Sequence, residues 1–423
     1  SLGWVISEEK FFPKNNIVKY LKVRGSYGEV GNDQIGGDRF LYLPSSYGTA
    51  TDSGVNKYNF GLASNPYTSL MIVENKIGNP ELTWEKAKKM NAGVDINLFN
   101  NCLTASFDIF KEKRNNILAN RSTSPMIIGA NLPAYNFGEM ENRGWEMDLN
   151  FRHHIQDFHY WARFNYSFAR NEIIYMDEVQ KRYDYQMSTG RRKNQFFGLI
   201  FDGYYNSWEE INALDRPKSS WSGNQLQPGD VKYVDVNQDG VIDDYDMVPI
   251  GYTPVPEIIY GFSFGAQYKG FDFSILFQGA DNVSIKYFGR SMWPFAKGEE
   301  SAKSLIKERW TQERYEAGEK ITFPRLSLNP NGETDHNYRP STLWIRDASY
   351  LRLKNLEVGY TFTGGFVKRL NLNSVRFYFN GSNLFTWTDV VDLDPEAPSR
   401  SGNVEINTYP LQKVYNIGLN INF

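Results

Sequence analysis

One stretch of the chain carries residue types at a spacing that can do chemistry: Asp235-Val-Asn-Gln-Asp-Gly-Val-Ile-Asp-Asp-Tyr-Asp246. Oxygen donors fall at positions 1, 3 and 5 (Asp235, Asn237, Asp239), and Gly240 follows where a loop must turn sharply. The Val241 carbonyl takes position 7, Asp243 position 9 and Asp246 position 12. A hard cation needs roughly six to eight oxygens, and this spacing can converge them from a single loop. The expectation is a structural divalent cation, Ca²⁺ ahead of Mg²⁺, clamping the connection in which the loop lies. The competing reading is an acidic turn that stays solvated without metal. No base or nucleophile accompanies the site, so metal catalysis is not expected.

The other candidates read more plainly. His153, His154 and His159 surround a short turn and are expected to be solvated. Cys102 is the only cysteine, which excludes an internal disulfide and any Cys-rich metal site. Arg191-Arg-Lys193 reads as a solvated or partner-facing charge run. The stretch 299–313 reads as an amphipathic helix whose Leu305, Ile306 and Trp310 pack against their own loop. Tyr204, Tyr205, Trp208, Trp221, Trp293 and Trp387 are weak candidates for stacking on a substrate, since girdles and loop cores use the same rings. No nucleophile elbow, H-E-x-x-H or phosphate-binding loop is present, so no catalytic residue is assigned and an enzyme is not expected.

The elements that must position these residues are strands. Val414–Phe423 alternates Tyr415, Ile417, Leu419, Ile421 and Phe423 with Asn416, Gly418, Asn420 and Asn422, a period of two. The same alternation recurs in segments around 21–27, 92–98, 103–109, 145–151, 160–168, 260–268, 271–277, 356–362 and 375–379, with a weaker strand at 2–7. Each regular stretch approaches the roughly 9–11 residues of a tilted membrane strand. Charges such as Asp95, Glu146, Asp148, Arg163 and Glu357 always share the polar face. That suits a water-filled lumen and would be costly in a dry core. Composition agrees: 16% of residues are aromatic, yet mean hydropathy is −0.53. No run approaches the roughly 18 apolar residues of a membrane helix. A net charge of −3 gives no reason to expect a nucleic-acid partner.

Short turns near 100, 155, 270 and 364–373, with a medium one at 8–19, alternate with long connections at 31–87, 118–136, 175–256, 280–349 and 386–410. Short periplasmic turns and longer outer loops are the pattern of an outer-membrane β-barrel. The predicted fold class is therefore all-β, a transmembrane antiparallel barrel with 11 visible strands. Single-chain bacterial barrels have even strand numbers, so a further strand upstream is expected. Ser1-Leu-Gly-Trp-Val-Ile-Ser7 does not read as a signal peptide, and the chain is expected to be a piece of a longer protein.

Several stretches resemble a known family: Ser1-Leu-Gly-Trp4, Leu21–Asn32, Asn79-Pro-Glu-Leu-Thr-Trp-Glu85 with Asn91-Ala-Gly-Val-Asp95, Asn142-Arg-Gly-Trp-Glu146, Gly229–Asp235, Trp344–Arg352 and Gly381-Ser-Asn-Leu-Phe385. In this order they resemble the carboxy-terminal half of the SusC/RagA-like TonB-dependent transporters of Bacteroidetes. The resemblance implies a 22-stranded barrel with an amino-terminal plug outside this sequence. It also implies a SusD-like lipoprotein lid and uptake of oligosaccharides or peptides driven through TonB-ExbB-ExbD. Outer-membrane lipid, including lipopolysaccharide, would surround the wall. The alternatives are a passive porin-like or adhesive barrel without TonB coupling, and a soluble secreted glycan-binding β-protein.

Overall fold

The computed structural model describes residues 1–33, 40–43, 47–49, 57–62, 64–74, 77–123, 132–221, 226–287, 292–295, 304–327, 335–396 and 411–423. Eleven strands form one antiparallel sheet in which every strand pairs with its sequence neighbours. They are β1 (Leu2–Val5), β2 (Val18–Asn32), β3 (Glu85–Leu98), β4 (Leu103–Ala119), β5 (Tyr135–Ile155), β6 (Phe158–Tyr175), β7 (Ile258–Tyr268), β8 (Phe271–Asp281), β9 (Tyr350–Phe362), β10 (Ser374–Thr388) and β11 (Val414–Asn422). All eleven alternating segments of the sequence are strands, and the up-and-down order is that of a barrel wall.

Register carries the alternation across the wall. At one level Ile96, Ala105, Leu149, Phe164, Phe262 and Phe277 are successive cross-strand partners. Lower down, Tyr268, Phe271, Tyr360, Phe377 and Leu419 continue the same face. Phe262, Tyr268, Phe271, Phe377 and Leu419 are exposed, Phe377 at 53%, as is Ile417 on β11 at 84%, and the others on this face are half-buried. In water that surface would be far larger than a soluble protein tolerates; facing lipid it is the solvent match. The ends of the band carry rings in contact: Trp145 stacks on Tyr166 at the outer end, and Phe271 meets Tyr360 at the inner end.

Several strands run well past the expected length. β5 has 21 residues and β4 has 17. Above the apolar band both faces turn polar, and cross-strand charge pairs such as Lys113–Glu139 at 2.9 Å sustain the ladder. Alternation disappears there, so the sequence pattern ends before the strands do.

Among the described residues, no buried hydrophobic cluster is built from the wall strands. The main buried core lies in the outer connections, where Leu199, Val231, Tyr233, Ile242, Ile285, Trp293, Trp310, Phe323, Tyr338 and Trp344 pack together with Val390. The described parts of the connections 176–257, 282–349 and 389–413 thus form one cap. Within it the helix expected over 299–313 is replaced by two pieces, and 299–303 lie outside the described residues. A 3₁₀ turn covers Ser304–Glu308, and Gln312–Glu316 is a separate α-helical turn capped by the Thr311 side chain. The break has a cause: Trp310 is drawn into the core and its indole N–H donates to Asn206 Oδ1 at 3.1 Å. Leu305 and Ile306 pack against the same core.

Candidate functional site

The lumen face of the wall is built from charges fitted over glycines. Arg24 on β2 reaches across Gly93 to Asp95 (Nε–Oδ2 3.2 Å) and to Asp108 (Nη1–Oδ1 2.6 Å) on β4. Arg376 on β10 does the same across Gly359, binding Asp272 (Nε–Oδ1 3.0 Å) and Glu357 (Nη2–Oε1 2.6 Å). A Cβ at Gly93 would sit 2.6 Å from Asp108 Oδ1, and one at Gly359 would sit 2.6 Å from Arg376 Nη2. A side chain at either position would have to push the guanidinium and its carboxylate partner aside.

Near the outer mouth, β3–β6 and the cap line a half-open cavity of about 450 Å³. Glu85, Glu112, Arg114 and Asn142 line it from the wall; Arg192, Lys193 and Val255 line it from the cap. Carboxylates, cations, amides and short apolar patches therefore face one volume. Lys193 is an exposed ammonium at its edge.

Two buried hubs hold the cap on the wall, and a third ties the cap's own segments together. The first is Glu257, which accepts from Arg170 Nε at 2.9 Å, from Asn282 Nδ2 at 3.1 Å and from Arg192. Burial works against its ionised form, but the bonds and charges of Arg170 and Arg192 outweigh it and hold the carboxyl below its usual range. Arg192 is therefore an internal ion-pair partner rather than a solvated charge. Arg191 donates to the Met187 and Tyr185 carbonyls, so only Lys193 of the run remains open.

The second hub is Arg352, 2% exposed, which binds Asp394 Oδ1 at 2.7 Å, Glu396 and Thr386 Oγ1. Tyr350 also donates to Glu396 at 2.8 Å. The third is Asp230, which accepts from Arg325 Nε at 2.5 Å, from Asn337 Nδ2 at 2.7 Å and from the Gln227 backbone. Beside it His336 bridges Ser219 Oγ and the Val231 carbonyl, and burial pushes its pKa down. Asp230 and Arg352 lie in the stretches 229–235 and 344–352 singled out in the sequence. Asp230 joins segments within the cap, and Arg352 fastens the connection that begins at residue 389 to the wall.

The acidic loop lies on the surface of the cap, tied to its core by Ile242. Gly240 has φ +82° and donates its N–H to Asp235 Oδ2 at 2.8 Å. Asn237 accepts from the Asp239 N–H, and Asp239 accepts from the Val241 N–H. Asp243 caps the following 3₁₀ turn by accepting from the Tyr245 N–H. Asp246 is fully buried and takes the Val236 N–H at 2.8 Å and the Asp243 N–H at 2.9 Å. Burial pushes its carboxyl above the ordinary value and the Asp235 charge adds to that, against the pull of these hydrogen bonds. Asp235 Oδ1 is buried without a hydrogen-bond partner. Among the described residues, no three His, Cys, Asp or Glu side chains gather closely enough to grip an ion as the loop stands.

The candidate stacking rings separate into three environments. Tyr204 and Trp293 are buried in the main core and Tyr205 in a smaller one, so their faces are spent on packing. Trp221 is half-buried, with the Arg339 guanidinium 4.1 Å over its ring. Trp387 sits on β10 beside Phe277 and Phe385, on the lipid side of the wall. Trp208 is exposed on the cap. His154 and His159 stack at 5.5 Å, paired across the β5–β6 hairpin.

This sheet order, lumen and cap coincide with known proteins. Residues 3–384 match the family described as TonB dependent receptor-like, beta-barrel. The chain belongs to that family. TonB-dependent receptor P3 of Formosa agariphila is 27% identical over the whole chain, which covers 41% of that protein. TonB-dependent receptor SusC of Bacteroides thetaiotaomicron is also 27% identical over the whole chain, covering 39% of it. The chain thus spans about two fifths of the length of these curated relatives. Among solved structures, the RagAB peptide transporter superposes over the whole chain and 42% of its own, with TM-score 0.70 and 24% identity. The eleven strands are therefore an outer-membrane receptor-barrel wall, and the family is one of transporters rather than enzymes.

Proposed function

We propose that this TonB-dependent receptor chain forms part of an active importer that takes up peptides or oligosaccharides with a SusD-like surface lipoprotein as its lid. Energy would come through TonB-ExbB-ExbD, contacting parts of the protein outside this sequence. The observation that carries the reading is the polar cavity between wall and cap, set on a lumen face lined with paired charges. A passive pore needs no such binding volume of mixed charge at its mouth. Within this reading, peptides are favoured over neutral glycans. Glu85, Glu112, Arg114 and Lys193 present both signs of charge to one volume, which matches the ends and side chains of a peptide better than uncharged hydroxyls. The similar SusC and RagAB proteins are consistent with a two-component importer. Calorimetry of the intact transporter with its lipoprotein, against panels of oligopeptides and neutral oligosaccharides, tests it. Binding of peptides, with uptake by cells abolished when the proton-motive force is collapsed, is the expected result. Binding of oligosaccharides alone would overturn the peptide preference, and uptake indifferent to the uncoupler would overturn active import.

The acidic loop is proposed to take a structural divalent cation, Ca²⁺ ahead of Mg²⁺. The unpartnered Asp235 Oδ1 supports this, and Asp246 would have to turn its remaining lone pairs to the ion. A ligand that binds only the folded state stabilises it by about 2.7 kcal/mol at a hundredfold excess over Kd. Millimolar Ca²⁺ is therefore expected to raise the unfolding temperature of the intact protein, and Asp235→Asn to abolish the rise. Unchanged melting together with flat calorimetry would show the loop to be a metal-free acidic turn.

A further inference from the structure

Every carboxylate on the lining of the half-open cavity between wall and cap already has a cation from the protein. Glu112 Oε1 lies 2.7 Å from Arg114 Nη2, and Lys89 Nζ approaches its other oxygen at 3.4 Å. Glu85 Oε2 is 4.0 Å from Arg114 Nη1, and Glu141 Oε2 meets Lys111 Nζ at 2.9 Å. Glu257 is held by Arg170 and Arg192, which also commits the Arg192 charge. Of the cations on this lining that leaves Lys193. Among the described residues its ammonium meets no carboxylate. What it gives the fold is its backbone N–H, donated to Asn171 Oδ1 at 2.7 Å.

The backbone that carries this ammonium is fixed on three sides. Lys193 and Asn194 are the middle residues of a turn closed by the Gln195 N–H on the Arg192 carbonyl at 3.2 Å, with Asn194 at φ +63°. Arg192 is pinned by Glu257, and Gln195 Nε2 donates to the Ile250 carbonyl at 2.9 Å. The bond to Asn171 ties the middle of the turn to the wall. A turn so clamped has little backbone freedom left to lose when a ligand arrives. Asn171 spends its Oδ1 on the turn, and its cross-strand partner Asn142 lines the same volume. Among the described residues nothing accepts from the Asn171 NH2 group or engages the Asn142 side chain. Two amides and one ammonium thus stand open to the same part of the cavity.

We infer that Lys193, with Asn171 and Asn142, forms a subsite for a single carboxylate of the bound peptide. This rests on the reading of the chain as part of a peptide importer. One ammonium neutralises one negative charge, and amide N–H groups supply the further donors that a carboxylate accepts. A polyanion such as a phosphate ester fits poorly, because Glu85, Glu112 and Glu141 face the same volume and repel the charge that Lys193 leaves uncovered. The carboxylate belongs to the peptide's carboxyl terminus or to an acidic side chain, and the subsite's chemistry is the same for both.

The test is calorimetry of the intact transporter with its lipoprotein against three versions of one Ala/Ser/Gly oligopeptide blocked at its amino end. One has a free carboxyl terminus, one an amidated terminus, and one an amidated terminus plus a single glutamate. Wild type is expected to bind a carboxylate-bearing version roughly tenfold tighter than the neutral one, the low end for a charge-assisted hydrogen bond because the ammonium is open to water. Which version gains distinguishes the terminus from the side chain. Lys193→Gln should remove the preference and Lys193→Arg should keep it. Lys181→Gln, which alters an exposed lysine of the cap outside the cavity lining, should leave it unchanged. The Lys193→Gln variant retains the backbone bond to Asn171, so its folded amount should match wild type. Equal binding of the three versions by wild type, or a preference that survives Lys193→Gln, would overturn the subsite and leave peptide import standing. Binding of oligosaccharides with none of any peptide version would overturn the peptide reading and the subsite with it.

Discussion

Replacing Arg352 with alanine is expected to cost about 3–5 kcal/mol and to free the 389–413 connection from the wall. The guanidinium is buried on the lumen face, and it is the cation that Asp394 and Glu396 both meet there. Lys354 reaches Glu396 only at 3.7 Å from a more exposed position, so it is a poor substitute. Removing Arg352 leaves two carboxylates crowded against Tyr350 with little solvent to take up their charge. Arg352→Lys should recover only part of the loss, because one ammonium cannot serve Asp394, Glu396 and Thr386 in the planar arrangement of the native fork. Thermal unfolding in detergent, with limited proteolysis of the 389–413 connection, reads the effect. Wild-type melting together with wild-type protease resistance would show that the cap is held elsewhere.

Gly144→Val should prevent β5 and β6 from pairing through their middle. The residue lies in the Asn142–Glu146 stretch, opposite Ala169. A Cβ there would overlap the Phe168 carbonyl oxygen and approach the Phe110 ring to 2.7 Å. Backbone cannot swing aside as a flexible side chain can, so the cost is set at or above the roughly 1–3 kcal/mol of an overpacked core. Because the clash lies inside a wall that pairs strand by strand, its consequence should be failed assembly. Heat-modifiable mobility of outer-membrane fractions measures this: a marked fall in folded barrel is expected for Val, and a smaller one for Ala. Normal amounts of folded Val variant would show that the two strands can separate there at little cost.

The wall was legible because lipid on one side and water on the other impose a period of two on every strand. Legibility ends where that contrast ends. In Lys86–Met90, Lys111–Asn115 and Glu139–Arg143 both faces meet water, so the strands continue without an alternating signal. The cap was hardest to read. Trp293 and Tyr204 look like ligand rings in a sequence because nothing local separates a ring buried by distant loops from one left open. Arg192 resembled a surface charge because its partner, Glu257, is 65 residues away. The acidic loop showed its turn chemistry through spacing alone. The burial of Asp246 depends on how the backbone of Val236 and Asp243 closes around it, which spacing does not report. The cap hubs at Asp230 and Arg352 had one available signal, their place inside stretches shared with the family, but no local pattern stated what they hold.

The core formed by Leu199, Val231, Trp293 and Trp344 belongs to the cap, while the apolar side chains of the wall point outward. One polypeptide therefore folds against two solvents, water above and hydrocarbon around. The cap obeys the thermodynamics of a soluble domain, with cohesion that weakens as chaotrope is added. The wall depends on lipid or detergent and on cross-strand pairing, and it persists under conditions that dissolve an aqueous core. The two parts can also diverge separately under selection. Substitutions that reshape the cap leave the lipid-facing side chains untouched, so the outer connections can change while the surface buried in the membrane stays the same.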